Sequence, residues 1–225
     1  NSVTLFANGN VSMTTANTVL LVGNTMISNA GISVGGVGIS LYSTGTMKNR
    51  IINGDMRIDQ RFNGAANNNI TGQQYVVDRW MHSGPLGLRF RSQQNNTNGP
   101  GQAATQSATG FLNYFGANVI SSNATYSAGD AYYYLHGIEG FNTADLNWGT
   151  ANASPVTLSF WVYSSVAGTH SGCISNGPTN RSYPFTYSIN TANNWQFQTI
   201  TIPGDTTGTW FSNNSTGIYL VYNLG

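Results

Sequence analysis

The stretch "VTLSFWVYSS", residues 156–165, decides the fold because large and small side chains alternate along it. Successive side chains of an extended strand point to opposite faces of a sheet. Leu158, Phe160 and Val162 therefore share one face, which we expect to lie in the core. Trp161 and Tyr163 share the other face. These rings either pack against a second sheet or a partner chain, which we favour, or form exposed platforms for a ligand.

Seven further stretches between residues 47 and 225 have strand composition and are separated by loops rich in Gly, Asn, Pro and Ser. They are "YVVDRWM" (75–81), "GLRFRS" (87–92), "FLNYFGANVIS" (111–121), "AYYYLHGI" (131–138), "YPFTYSI" (183–189), "WQFQTITI" (195–202) and "IYLVYNL" (218–224). About eight short strands at this spacing predict an antiparallel β-sandwich or jelly roll.

Two other segments of this region carry weaker local signals. "NTADLNWGT" predicts a helical turn over residues 144–148, capped by Asn142 or Thr143. The polar stretch 93–110 has no periodicity, and we expect it to be a mobile loop.

Residues 1–46 contain no charged residue and consist of short β-branched runs separated by Gly- and Asn-containing turn signals. A segment this short rarely folds alone without disulfides, metals or oligomerisation. We therefore predict an oligomerising β-rich stalk in which strands of several chains wrap a shared core; the alternative is a flexible linker. The side chains expected to face the axis are those of Leu5, Val11, Val19, Leu21, Ile27, Ile32, Val37, Ile39 and Leu41.

The junction segment "MKNRIINGDMRIDQRF", residues 47–62, holds half of the eight basic residues. Asn53-Gly54 within it is a strong turn dipeptide. We interpret the charge as ordering the junction between the stalk and a globular head, residues 47–225, where Arg and Asp side chains can pair across chain boundaries. The alternative is that these are solvated residues at the start of a domain.

Composition limits the function classes. Only 7% of the residues are charged, against roughly 25% in an ordinary domain, while 12% are aromatic. The net charge of +1 gives no case for nucleic acid or for an anionic membrane. We also expect no membrane insertion, because no uncharged apolar run approaches the ~20 residues that a spanning helix needs.

Catalytic and metal-binding patterns are weak, and we predict that the protein is not an enzyme. Glu139 and Asp145 are the only close pair of carboxylates outside the junction. The simpler interpretation is that Glu139 pairs with an arginine or an Asn-rich loop and that Asp145 begins a helical turn. His82, His136 and His170 lack metal-ligand spacing with one another or with Cys173, the one cysteine. We predict no cofactor, although the clusters "INGD" and "SAGD" could hold a structural calcium ion.

A surface rich in Asn, Thr, Tyr and Trp and poor in charge suits recognition of neutral sugars, because aromatic faces stack on pyranose rings. The glycan-binding candidates are Trp161, Tyr163, Arg181 and Tyr183, and the run Tyr132–Tyr134 is a further place to look. The same composition also serves extracellular fibres that bind no ligand.

Most of residues 47–225 resembles the carbohydrate-binding-like jelly-roll domains of bacteriophage tail fibres and other virion proteins. The stretches that carry the resemblance are "NRIINGDMRIDQR", "VVDRW", "HGIEGFNTADLNWGTANASPVTLSFWVYSS", "RSYPFTYSIN" and "TIPGDTTGTW". Residues 1–46 look like the short β-repeats that precede such heads in trimeric fibres. Heads of this family usually continue for several strands beyond "NLG", and we expect the sequence to be a segment of a longer protein.

The resemblance implies a homotrimeric, receptor-binding tail fibre or tail protein located on the virion. Its partners would be a host-surface glycan and other virion tail proteins. Two alternatives stay open: a virion-associated glycan depolymerase whose acids include Glu139 and Asp145, and a purely structural connector that binds a neighbouring virion protein.

Overall fold

The computed structural model describes residues 3–5, 11–13, 20–22, 25–28, 31–34, 37–39, 48–68, 72–84, 89–122, 124–125 and 127–224. The chain divides into two compact units, Asn1–Asn49 and Arg50–Gly225. This boundary lies close to the one predicted from the change in charge. That the first unit is a stalk and the second a head stays a prediction.

The β-branched runs of the first unit form strands. β1 (Val3–Leu5) pairs with β2 (Val11–Met13), and β3 (Leu20–Val22), β4 (Thr25–Ser28), β5 (Gly31–Val34) and β6 (Val37–Ile39) form an antiparallel meander. The register places Leu20, Ile27, Ile32 and Ile39 in one row. The prediction that apolar side chains of residues 1–46 face a shared axis lies outside what the structure describes.

The second unit contains ten strands in its described residues. They are β7 (Gly72–Val77), β8 (Trp80–Gly84), β9 (Phe90–Gln94), β10 (Phe115–Val119), β11 (Tyr133–Glu139), β12 (Val156–Val162), β13 (Gly168–Asn176), β14 (Ser182–Ile189), β15 (Gln196–Ile202) and β16 (Thr216–Asn223). All their pairings are antiparallel. The all-β prediction is therefore confirmed.

Six of these strands form one sheet in the order β14-β13-β16-β11-β8-β7, and the remaining four form the pairs β9–β10 and β12–β15. Ring contacts show that both pairs pack on the same face of the large sheet. Phe115 of β10 stacks on Tyr134 of β11 at 4.1 Å between centroids, and Phe160 of β12 lies 4.9 Å from Tyr222 of β16. The core fills the space between these layers.

The core contains aliphatic and aromatic side chains from nearly every strand. Leu158 is buried, and Phe160 and Val162 pack against the cluster from the same face of β12, as the alternation predicted. The buried members are Val77, Trp80, Ile138, Leu146, Trp148, Leu158, Ile174, Phe185, Tyr187, Ile189, Ile202, Ile218 and Leu220.

Two strand predictions were wrong. "YVVDRWM" was predicted as one strand, but it forms a hairpin in which Asp78 and Arg79 make the turn between β7 and β8. Arg79 adopts a positive φ of 73°, and the Asn53 amide donates a hydrogen bond to the Asp78 carbonyl at 2.8 Å. The strand β13 was missed because its sequence, "GTHSGCISN", has the composition of a loop.

The helix predictions also need correction. The segment predicted as a mobile loop contains α1 (Gln102–Thr109), which ends at Gly110 in the left-handed conformation with φ 81°. The predicted helical turn begins earlier, as α2 (Gly140–Thr143) followed by a 3-10 turn over Ala144–Leu146. Neither element has a side-chain cap, since the Thr143 hydroxyl donates to the Gly140 carbonyl instead.

Candidate functional site

The strand pair β12–β15 has an inner face in the core and an outer face away from it. Its register pairs Trp161 with Phe197 and Ser159 with Thr199 on the outer face. We name this surface the aromatic–hydroxyl face; its residues are Thr157, Ser159, Trp161, Tyr163, Trp195, Phe197, Thr199 and Thr201.

One half of the aromatic–hydroxyl face consists of rings. Trp161 and Phe197 lie 5.4 Å apart between centroids, and Tyr163 and Trp195 lie 5.5 Å apart. Phe197 is 56% exposed. Tyr114, immediately before β10, meets Trp195 edge-on at 5.5 Å and extends the row of rings. Ring faces in this arrangement can stack on the apolar face of a planar ligand.

Hydrogen bonds fix two of these rings, those of Tyr114 and Tyr163. The Tyr114 hydroxyl lies 3.0 Å from the carbonyl oxygens of both Asn96 and Pro100. Burial, together with the neighbouring Tyr163, raises the pKa of Tyr114 to about 12. Tyr114 therefore stays neutral at physiological pH. The Tyr163 hydroxyl donates to the Asn193 side-chain oxygen at 3.4 Å.

The other half of the aromatic–hydroxyl face carries short hydroxylated side chains. Thr157 pairs with Thr201 and Ser159 with Thr199, and all four residues are exposed. Hydroxyl groups can both donate and accept hydrogen bonds. The whole face is therefore uncharged, with rings at one end and hydroxyl groups at the other.

Two of the four sequence candidates, Trp161 and Tyr163, lie on this face. Trp195 and Phe197 lie there too; the alternation of "WQFQTITI" could have identified them as candidates, because it places both rings on one face of the strand. Tyr183 is 39% exposed and lies elsewhere, on β14, opposite Ile174 of β13.

Arg181 is held by an ion pair. Its guanidinium donates to both carboxylate oxygens of Asp205, at 2.5 and 2.9 Å, and to the Thr207 hydroxyl at 2.7 Å. The hydrogen bond from Arg181, supported by those from the Thr207 backbone and Trp210, lowers the pKa of Asp205 to about 2 despite partial desolvation. This geometry indicates that Arg181 holds the loop after β15 in place.

The tyrosine run Tyr132–Tyr134 divides its side chains between different surroundings. Tyr132 is buried and packs on Phe90 at 4.8 Å, and Tyr134 stacks on Phe115 in the core. Burial raises the pKa of Tyr134 well above its usual range. The Tyr133 hydroxyl accepts a hydrogen bond from the Gln73 amide at 3.0 Å. The run therefore offers no continuous platform.

The carboxylates Glu139 and Asp145 are both engaged by arginines. Arg79 donates to Glu139 at 2.5 Å, and Arg50 donates to both oxygens of Asp145 at 2.7 and 2.8 Å. Desolvation alone would raise the pKa of Glu139, but the hydrogen bonds from Arg79, the backbone and Asn142 hold it below its ordinary value. Each carboxylate is therefore occupied by its own arginine.

The charged junction segment is built into the second unit. Asn53 forms the predicted turn with φ 56°, and its carbonyl accepts a hydrogen bond from the Trp80 indole at 3.0 Å. Asp59 accepts hydrogen bonds from the backbone of Phe62 and Gly64. Arg50 forms its ion pair with Asp145 of the same chain, within the second unit. Pairing of junction residues across chains stays a prediction.

A small cleft of about 30 Å³ lies away from the aromatic–hydroxyl face, between Trp148, Trp210 and Phe211. Ligand pockets usually measure roughly 300–1,000 Å³, so this cleft is too small for a sugar. Within the described residues, no three or more His, Cys, Asp and Glu side chains come together as a metal site would require. Nor does any helix in that part of the chain have the length and apolar character of a membrane span.

No protein-family model, curated protein or solved structure matches the chain.

Proposed function

We propose that the protein is a virion tail-fibre or tail protein whose second unit binds a neutral glycan of the host surface through the aromatic–hydroxyl face. The observation that carries the proposal is the ring pair of Trp161 and Phe197, in which Phe197 is 56% exposed, on a face without charge. Aromatic rings stack on the apolar faces of pyranoses, and neighbouring hydroxyl groups bond to those of the sugar.

The architecture supports the jelly-roll part of the proposal. A six-stranded antiparallel sheet is covered on one face by two antiparallel pairs, which is the two-layer arrangement of a sandwich. The trimer is supported by the first unit, whose short strands without charged residues need partners to bury their apolar side chains. We propose that three chains meet through this unit.

We propose binding without catalysis. The depolymerase alternative gains no support from Glu139 and Asp145, because each carboxylate is engaged by its own arginine. The connector alternative uses the same fold and predicts a protein ligand on the aromatic–hydroxyl face. We favour a sugar because hydroxylated side chains lie next to the rings on this face, and a sugar offers both an apolar ring face and hydroxyl groups.

A glycan array of neutral bacterial surface sugars, probed with the full chain, tests the proposal. We expect binding by the wild type, loss of binding by Phe197→Ala, and wild-type binding by Phe141→Ala, which removes a still more exposed ring on α2. A wild-type protein that binds no glycan contradicts the proposal. Binding to a purified tail protein instead, lost in Phe197→Ala, would support the connector.

A further inference from the structure

The two kinds of side chain on the aromatic–hydroxyl face are separated along the direction of its strands. Rings occupy the end near residue 163, and hydroxyl groups occupy the end near residue 157. From one end to the other, the ring contact of Tyr163 with Trp195 is followed by the paired positions Trp161 and Phe197, Ser159 and Thr199, and Thr157 and Thr201. A ligand that uses both halves must therefore lie along the strands.

The length of this surface exceeds that of one sugar. Thr157 and Tyr163 are separated by six steps along a strand, which at 3.3–3.4 Å each is about 20 Å. Tyr114 continues the row beyond Trp195. Because a pyranose ring is comparable in size to one aromatic ring, a single sugar can contact only one of the ring pairs.

The surface is also open. Recognition of a single terminal sugar normally uses an enclosed pocket that surrounds the ligand. Here the ring of Phe197 and the hydroxylated residues on both strands are exposed, and they form part of a pleated sheet face. An open, linear surface favours a ligand that is itself extended.

We propose that the aromatic–hydroxyl face binds an internal run of several sugars in an uncharged glycan chain, aligned with β12 and β15. The rings stack on the sugars at one end, and the Ser and Thr side chains bond to sugar hydroxyls at the other. The absence of charged side chains from the face matches a neutral ligand, because a charged sugar would lose hydration without gaining an ionic partner. This inference rests on the proposed function and specifies its ligand.

The test measures affinity against chain length. Calorimetric titrations of the full chain use defined neutral oligosaccharides of one to six sugars, in each linkage series that the array includes. We expect affinity to rise with length up to the span of the face and then level off. Phe197→Ala should abolish binding at every length.

The variant that separates the two halves is Ser159→Ala combined with Thr199→Val. It should lower the affinity for the longest oligosaccharide roughly tenfold, because two hydrogen bonds are lost, and leave the shortest bound oligosaccharide unaffected. Thr186→Val, at an exposed position of β14, is the matched control and should bind like the wild type.

The outcomes separate this inference from the proposed function. Affinity that is independent of length, or a double variant that weakens all lengths equally, overturns the extended-ligand inference while glycan binding stands. No binding of any oligosaccharide by the wild type overturns both.

Discussion

Trp161 and Phe197 lie opposite each other on neighbouring strands with their ring centroids 5.4 Å apart, on the face of β12–β15 that points away from the core. Cross-strand aromatic pairs stabilise a sheet modestly. A phenylalanine that is 56% exposed still leaves much apolar area in water. A ligand that covers this pair would remove that area from water, which is the physical basis of the proposed binding.

Arg181 should contribute to stability and not to glycan affinity. Replacing Arg181 with Ala removes both hydrogen bonds to Asp205 and the one to Thr207, so we expect Tm to fall by several degrees. The folded variant should bind glycan with wild-type affinity. Differential scanning calorimetry measures the Tm, and a glycan titration on the same sample measures the affinity.

Arg181→Lys is the companion variant because lysine keeps the charge but cannot make the bidentate contact. It should also lower Tm. A variant that keeps the wild-type Tm but loses glycan affinity would show that Arg181 contributes to glycan binding.

Gly172 should not tolerate a larger residue. A Cβ atom at this position would lie 2.5 Å from both the Phe185 ring and the Val221 carbonyl oxygen. Because Val221 contributes backbone, relief requires a shift of the central strands, and we expect Gly172→Ala to lower the free energy of unfolding by roughly 2–4 kcal/mol. Urea denaturation measures the change.

Gly129→Ala is the matched control for this substitution, since nothing lies within 4 Å of its added Cβ. It should leave the urea midpoint nearly unchanged. Equal effects of the two substitutions would show that Phe185 does not lie over Gly172 as described.

The two fully buried histidines should make the protein sensitive to acid. Burial lowers the pKa of His82 to about 4, and burial, with the nearby positive charge of Arg79, lowers that of His136 to about 4 as well. Between the ordinary value of 6.5 and about 4, the unfolded chain binds protons that the folded chain does not. Stability should therefore fall across this window as the pH decreases, by roughly 3 kcal/mol for each histidine.

His136→Leu tests the origin of this loss. Neither ring nitrogen of His136 has a hydrogen-bond partner among the described residues, so an apolar side chain of similar volume should be tolerated at pH 7. Urea denaturation between pH 7 and 4 should show a loss about half as large as in the wild type. His170→Asn, at a partly exposed position, is the control and should keep the pH dependence of the wild type. If His136→Leu also keeps it, burial of His136 is not a cause of the acid sensitivity.

The first unit should determine the oligomeric state. Light scattering should give a trimeric mass for residues 1–225 and a lower mass for residues 47–225. A monomeric full chain would exclude the stalk, while an unchanged trimer in the shorter form would place the contacts between chains in the second unit.

Alternation along single strands predicted the strands with large side chains and their core face. Leu158 and Phe160 lie where the two-residue period placed them. The hairpin turn at Asp78–Arg79 could not be predicted in this way. It carries no Gly, and it is held by tertiary hydrogen bonds that the Asn53 amide and the Gln60 backbone N–H donate to Asp78.

The strand β13 was hidden for a different reason. Its position between β14 and β16 allows small side chains, since Phe185 from the neighbouring strand fills the space above Gly172. The sequence of a strand that is covered by its neighbours need not look apolar. Composition alone therefore assigned this segment to a loop.

The sequence predicts which side chains share a face of one strand, but it does not predict contacts between residues that are far apart in the chain. Trp161 and Tyr163 share a face because they are two residues apart. The contact of Arg181 with Asp205 joins residues that are 24 positions apart, and it forms only when the loop after β15 folds back. The sequence carries no signal for that partner, so Arg181 was predicted to bind a ligand.

The most direct test of glycan binding at the aromatic–hydroxyl face is a crystal structure of the protein with a bound neutral oligosaccharide. The account predicts electron density for sugar rings stacked over Trp161 and Phe197, with the chain running along β12 and β15. Density for the sugar on another surface, such as the six-stranded sheet, with the Trp161–Phe197 pair uncovered, would contradict it.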